Sequence, residues 1–281
     1  MDNRALPRAH RTVLILAIAG ISSLAWAYTV WLSSQMGVPE VFPPVGHQSM
    51  DGMNMPELNT PLASNEAATA PAFRQWAVFD SAFVFVMWVV MMVGMITPSV
   101  TPMMLLYAAA GRNAAANGRP LAATGWFYSG YLSAWIVFSL VATGAQWSMS
   151  VLALLSPMEG TSSWFGGIVL IAAGLYQWSS LKNRCLSQCQ SPVGFLMRHG
   201  GFRNEPLGAL RLGAEHGLYC VGCCWMLMAL LCVGGVMNVT WIAGLALLVL
   251  LEKLVPSGRL IPQVSGAAMA AAGLVILCRN F

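Results

Sequence analysis

Charge is what this sequence has least of. Asp, Glu, Lys and Arg make up 9% of its 281 residues, against about 25% in an ordinary soluble domain. Hydrophobic residues make up 57%, which predicts an integral membrane protein surrounded for most of its length by the lipid bilayer. The net charge of +4 is modest and gives no reason to expect nucleic acid as a partner.

Motifs of several enzyme classes are also missing. The sequence has no GxxxxGK[ST] phosphate-binding loop, no HExxH zinc motif and no paired catalytic carboxylates. Its 7 cysteines are too few and too unevenly placed for an extracellular disulfide framework. Catalysis is therefore not favoured, although a membrane enzyme stays open as an alternative.

Long apolar runs are what the chain has instead. Each is long enough to cross roughly 30 Å of hydrocarbon, and together they predict an all-α polytopic bundle of about seven spans with its N-terminus inside. The runs are 12–32, 76–110, 121–154, 164–181, 212–236, 239–254 and 260–277. The first run is expected to be retained, because no small-x-small cleavage site precedes a polar mature start.

The basic residues set the expected orientation. With the N-terminus in the cytoplasm, 12 of the 14 Lys and Arg residues fall on inner segments, and only Arg74 and Arg279 fall outside. This bias predicts a location in the bacterial inner membrane. The predicted spans divide the chain into an N-terminal transmembrane helix (1–33), an irregular Met-containing outer loop (34–75) and a six-helix metal-binding membrane domain (76–281).

The fifth run carries a cluster of soft ligands: His216, Cys220, Cys223 and Cys224. A helix turns 100° per residue, so these four side chains share an arc of about 100°. Thiolates with an imidazole suit Cu(I) or Zn(II). The alternative is that the cysteines only pack between helices.

A second segment must complete any such site, because one helix cannot surround an ion with ligands. Cys185 and Cys189 are the candidates, since they lie on the same predicted cytoplasmic side and their i, i+4 spacing places both on one face of a helical turn. Glu252 and Lys253 end the sixth run on that side. They are either functional or a charged pair that fixes two helix ends.

Methionines supply a second class of soft donor. Pro98 and Pro102 predict a kink in the second run, and Met95, Met103 and Met104 lie around it as candidate thioether ligands. We expect the second and fifth runs to pack together, which would bring these methionines near Cys220 or Cys224. Core packing is the alternative role.

The outer loop carries a separate candidate set. His47, Met50, Met53 and Met55 lie in a hydrophilic stretch rich in Gly, Pro and Asn, where a methionine gains little by packing. These four residues are expected either to capture copper or to form part of a disordered tether.

Three segments carry a resemblance to a known family: MWVVMMVGMITPSVTPMMLLY, YQWSSLKNRCLSQCQSPVGF and GAEHGLYCVGCCWMLMALLC. In this order they resemble the bacterial family labelled domain of unknown function 2182, described as predicted metal-binding integral membrane proteins. The resemblance extends from Phe79 to the end of the seventh run and leaves out the outer loop. It implies metal binding in a membrane and no particular reaction.

These observations predict a membrane protein that handles a soft metal, with Cu(I) first and zinc second. It would transport the ion or deliver it to a metalloenzyme, and a copper enzyme or a periplasmic copper carrier would be its partner. One alternative is a thiol-redox or other membrane enzyme that uses the CxxCC segment. Another is an accessory subunit of a membrane complex whose cysteines are only packed.

Overall fold

The computed structural model describes residues 8–35, 78–118, 121–151, 155–156, 160–161, 163–255 and 260–279. Its helices are α1 (Arg8–Gln35), α2 (Val78–Ala116), α3 (Thr124–Val151), α4 (Ser163–Gln177), α5 (Ser180–Gln190), α6 (Pro192–Arg198), α7 (Pro206–Ala229), α8 (Val239–Leu254) and α9 (Leu260–Arg279). Two short strands, β1 (Leu155–Ser156) and β2 (Gly160–Thr161), pair antiparallel. The rest of the regular structure in these ranges is helical, which confirms the predicted all-α class.

Four helices are long and apolar enough to cross a membrane: α1, α2, α3 and α9. Helices α4 and α5 meet at 63° and together form a fifth, broken candidate. Helix α8 has 16 residues, fewer than the roughly 20 that a spanning helix needs, and α7 carries Arg211 and Glu215 in its first half. The described chain thus has four or five such helices where the sequence predicted about seven spans.

One proline of α2 leaves a backbone carbonyl without its helical hydrogen bond, and α1 supplies another donor. Pro98 has no N–H, so the carbonyl of Gly94, four residues earlier, loses its helical partner. The Ser22 hydroxyl of α1 donates to this oxygen at 3.0 Å. A Cβ on Gly94 would lie 3.2 Å from the Cβ of Ala25, so the two backbones meet where the hydrogen bond forms.

Helix α3 lies directly against α7 because both carry glycine at the crossing. A Cβ on Gly213 would overlap the carbonyl of Phe127, and one on Gly130 would overlap the carbonyl of Leu210. Farther along, Tyr131 of α3 reaches Cys220 of α7. Gly213 of α7 meets Phe127 of α3, and Gly217, one turn later, meets Ala134. These contacts advance in the same direction along both helices, so α3 and α7 run parallel.

Glycines also join α4 to α9. Gly167 meets Gly273, and Gly174, two turns later, meets Gly266. The order is reversed along the second helix, so this pair is antiparallel.

One prediction about packing is wrong. Helix α7 packs chiefly on α3 and α5, whereas α2 packs on α1 and α3. Within the described residues α3 and α8 each pack on both α2 and α7, and α2 and α7 are not main partners of each other. The glycines at the α3–α7 crossing explain the outcome, because they let α3 occupy the face of α7 that the sequence analysis assigned to α2.

Candidate metal centre

The soft residues of α7 all face the interior. The side chains of His216, Cys220, Cys223 and Cys224 leave 4%, 2%, 1% and 1% of their surface exposed. Their common arc, predicted from helical spacing, is thus the buried arc of the helix. It is directed toward α3 and α5, the helices on which α7 packs.

The Cys220 sulfur is the point where neighbouring helices meet. Lys253, in the last turn of α8, donates to it from Nζ at 2.7 Å. The hydroxyl of Tyr131, on α3, lies 3.0 Å away. The same ammonium group donates to the Ser99 hydroxyl of α2 at 3.2 Å, so α2 reaches the cluster through Lys253.

Helix α5 contributes both of its cysteines to the α7 face. The Cys189 thiol lies close to the thiols of Cys220 and Cys223. Cys185, one turn earlier, lies against α7 at Gly222, where a Cβ would be 2.8 Å from its sulfur. The structure therefore brings Cys189, Cys220 and Cys223 together and places Cys185 beside them.

Two of the thiols are turned back onto their own helix. The S–H groups of Cys223 and Cys224 donate to the backbone carbonyl of Cys220 at 3.1 and 3.0 Å. In the part of the chain that the structure describes, no three His, Cys, Asp or Glu side chains surround one common metal position. Rotation about χ1 of Cys223 or Cys224 would release these sulfurs for an ion.

His216 sits in an aromatic compartment one turn before Cys220. Its ring centroid lies 5.9 Å from those of Phe127 and Tyr131 and 4.8 Å from that of Phe195. Its Nδ1 atom is buried and has no hydrogen-bond partner among the residues that the structure describes. A buried, unpaired nitrogen costs about 1–3 kcal/mol, and a soft metal ion fits this position as the missing partner.

A buried ion pair fixes α5 against α8. Lys182 donates from Nζ to Glu252 at 2.7 Å, and their side chains are 0% and 2% exposed. The amide of Gln177, at the end of α4, donates to the other carboxylate oxygen of Glu252 at 3.0 Å. Glu252 is therefore part of a structural network, and its neighbour Lys253 is the residue that contacts the thiols.

Sequence reasoning gave these contacts only in part. The sequence shows Lys253 as a charged residue at the end of an apolar run, but it does not show that the Cys220 sulfur is its partner. Tyr131 and Ser99 carry no signal of their own, since each is an ordinary residue of a long apolar helix. A buried lysine needs acceptors, and that requirement is the one clue that could have drawn attention to the polar residues of α2 and α3.

The structure describes the candidate methionine ligands of α2 but not those of the outer loop. Met95, Met103 and Met104 are buried in the core, with 3%, 2% and 6% exposure. Met95 and Met103 lie one helical turn on either side of Ser99, the α2 residue that contacts Lys253. The outer-loop candidates His47, Met50, Met53 and Met55 lie outside the described residues, and their copper role stays a prediction.

Fold and site together define a helical protein with several helices of membrane-spanning length and a buried cluster of soft ligands. The chain belongs to the PpoB2 copper chaperone family, whose model matches residues 85–276. This membership confirms the metal-related part of the resemblance and agrees with the expectation of copper, under a different family label from domain of unknown function 2182. No curated protein and no solved structure matches the chain.

Proposed function

We propose that this protein is a membrane copper chaperone that holds Cu(I) at the cluster centred on Cys220. The observation that carries the proposal is the meeting of the Cys189, Cys220 and Cys223 thiols between α5 and α7. The remaining donors lie on the same buried face of α7: Cys224 and His216. Thiolate and imidazole are the ligands that Cu(I) prefers.

The contacts of Cys220 favour transfer over permanent storage. Copper, as cargo, would take the sulfur lone pair that Lys253 now occupies, and the ammonium group would remain close by. When copper leaves, Lys253 can donate to the sulfur again, so Cys220 has a competing partner within the protein. This competition weakens the hold on the ion, as delivery to a copper enzyme requires.

We place the chain in the bacterial inner membrane with seven spans and the N-terminus inside. The helix directions support this arrangement. Helices α3 and α7 are parallel, as the third and fifth spans would be, and α4 and α9 are antiparallel, as the fourth and seventh would be. The outer loop 34–75 would then face the periplasm, where a copper enzyme or a copper carrier is the expected partner.

The test is the copper content of a double variant, Cys220→Ser with Cys223→Ser, purified anaerobically as the full chain. Serine is close in size to cysteine, and its hydroxyl can bond back to a helix carbonyl at small cost. We expect the ratio of copper to protein, measured by mass spectrometry of the elements, to fall to background. The matched control is Cys232→Ser with Cys278→Ser, one buried and one exposed thiol outside the cluster.

The outcome separates the alternatives. Full copper occupancy in the cluster variant would refute the proposal and make the cysteines packing residues. Zinc in place of copper, measured in the same samples, would identify the other cargo that these donors suit. Titration of free thiols before and after mild oxidation addresses a redox role, in which the cluster thiols would be lost pairwise without metal.

A further inference from the structure

His199 is a histidine to which the sequence analysis gave no role. It follows α6 as the C-cap residue, is half-buried, and lies midway along the segment that joins α5 to α7. Its Nδ1 atom is 2.8 Å from the carbonyl oxygen of Phe195. A carbonyl only accepts, so Nδ1 carries the proton and Nε2 carries a lone pair, as in histidines that ligate metals through Nε2.

One phenyl ring links His199 to the buried histidine. The ring of Phe195 stacks on His199 at 4.2 Å between centroids and meets His216 edge-on at 4.8 Å. Tyr219 lies beside these rings, with its own ring 5.6 Å from that of His199. The two imidazoles therefore share the same ring as a neighbour, one at the surface and one inside.

Hydrogen bonds hold the backbone of His199 in place. Arg203 donates from its guanidinium to the backbone carbonyl of His199 at 2.8 Å. The carbonyl of Arg203 in turn accepts from the backbone of Ala122 at 3.1 Å and from the Tyr107 hydroxyl at 3.3 Å. His199 is thus tied to α2 and to the segment before α3, so its position relative to Phe195 is fixed before any ion arrives.

We propose that His199 is the entry ligand of a route that takes Cu(I) from solution to the thiol cluster. The ion binds first at Nε2 of His199, passes Phe195, and reaches His216 and then Cys220. Transfer to His216 replaces one copper–nitrogen bond by another, transfer to Cys220 replaces a copper–nitrogen bond by a copper–sulfur bond, and the copper stays Cu(I). The inference rests on the proposed function, because the route ends at the cluster.

The order of ligands along the path suits transfer. Imidazole binds Cu(I) less strongly than thiolate does, so affinity rises from the surface inward. A histidine is also a better surface ligand than a cysteine, since an exposed thiolate is readily oxidised. The phenyl ring between the histidines carries no ligand atom that would trap a moving cation.

The test measures rate and occupancy separately. His199→Phe keeps an aromatic ring against Phe195 and removes the lone pair. His10→Phe is the matched control, because His10 is exposed on α1. Full-length variants in nanodiscs would receive Cu(I) from its bicinchoninate complex, whose absorbance reports the transfer. We expect His199→Phe to slow uptake about tenfold or more at unchanged final occupancy and His10→Phe to match the wild type.

A second measurement needs no variant. The chain has 4 histidines, so ¹⁵N-histidine spectra of the wild type can be followed during titration with Ag(I), a soft ion that is stable to redox change. We expect the His216 signals to shift at lower Ag(I) than those of His199, because affinity rises inward, and the His199 signals to shift as more Ag(I) is added. His199 signals that never respond to Ag(I) would overturn the entry ligand.

Each outcome bears on a different claim. Wild-type uptake by His199→Phe, with copper still lost in the Cys220→Ser, Cys223→Ser variant, would overturn the entry route and leave the proposed function standing. Loss of equilibrium copper from His199→Phe would also overturn it, because His199 would then be a permanent ligand. Retention of copper by the cysteine variant would defeat the proposed function itself.

Discussion

The buried pair of Lys182 and Glu252 offers the sharpest test of how the site is held together. Lys182 lies one turn before Cys185 on α5, and Glu252 precedes Lys253, which contacts the Cys220 sulfur. The pair therefore fixes the two helices that bring thiols and ammonium together. Changing it should reduce both the stability of the fold and the copper content.

The size of the effect follows from burial. Removing one partner of a buried ion pair leaves the other charge uncompensated and costs about 3–5 kcal/mol. We therefore expect Lys182→Met and Glu252→Gln each to lower the free energy of unfolding by about this amount. The double variant has no unpaired charge and should be less destabilised than the sum of the two by about 2 kcal/mol or more.

The assay is unfolding in mixed dodecylmaltoside and SDS micelles, followed by circular dichroism. An exposed pair on α7 provides the matched control: Arg211 and Glu215 are 3.1 Å apart, with side chains 82% and 33% exposed. Arg211→Met with Glu215→Gln should cost about 0.5 kcal/mol or less. If Lys182→Met costs no more than this control, or the cycle shows no coupling, the pair does not hold the site together.

Three further predictions test the rest of the molecule. A reporter fused after Arg203 should report the cytoplasm and one after Phe281 the periplasm; agreement between the two would refute the seven-span arrangement. Ser22→Ala should lower the free energy of unfolding by about 1 kcal/mol, since the Gly94 carbonyl loses its donor, and unchanged stability would contradict this. Leucine at the outer-loop methionines should lower copper tolerance at constant protein level, whereas an unchanged phenotype supports a tether; the positions are Met50, Met53 and Met55.

Sequence pattern alone gave the helices whose limits are set locally. The run predicted at 239–254 has the same bounds as α8 (Val239–Leu254). Asn238 explains the start, because its side chain accepts from the Trp241 backbone N–H and caps the helix. The buried arc of α7 was likewise predictable, since it depends only on helical spacing.

Contacts between distant parts of the chain determine the structural features that the sequence did not predict. The basic segment 182–211 lies between two of the predicted runs, yet it contains most of α5, all of α6 and the start of α7. Helix α5 begins with the Ser179 side chain accepting from the Lys182 N–H, and it is kept in place by a carboxylate 70 residues away. No local pattern encodes that partner, nor the α3–α7 crossing that excluded α2 from the thiols.

The lysine at the cluster bears directly on whether the cysteines only pack. A buried ammonium needs acceptors, and Lys253 has two of them in the Cys220 sulfur and the Ser99 hydroxyl. A structural role for Lys253 therefore accounts for one thiol. It does not account for Cys223 and Cys224, whose S–H groups point to a carbonyl of their own helix, or for Cys189 on the facing helix. Apolar residues would pack as well at these three positions, so the thiols beyond the one that the lysine requires are the part of the site that the proposed copper binding would explain.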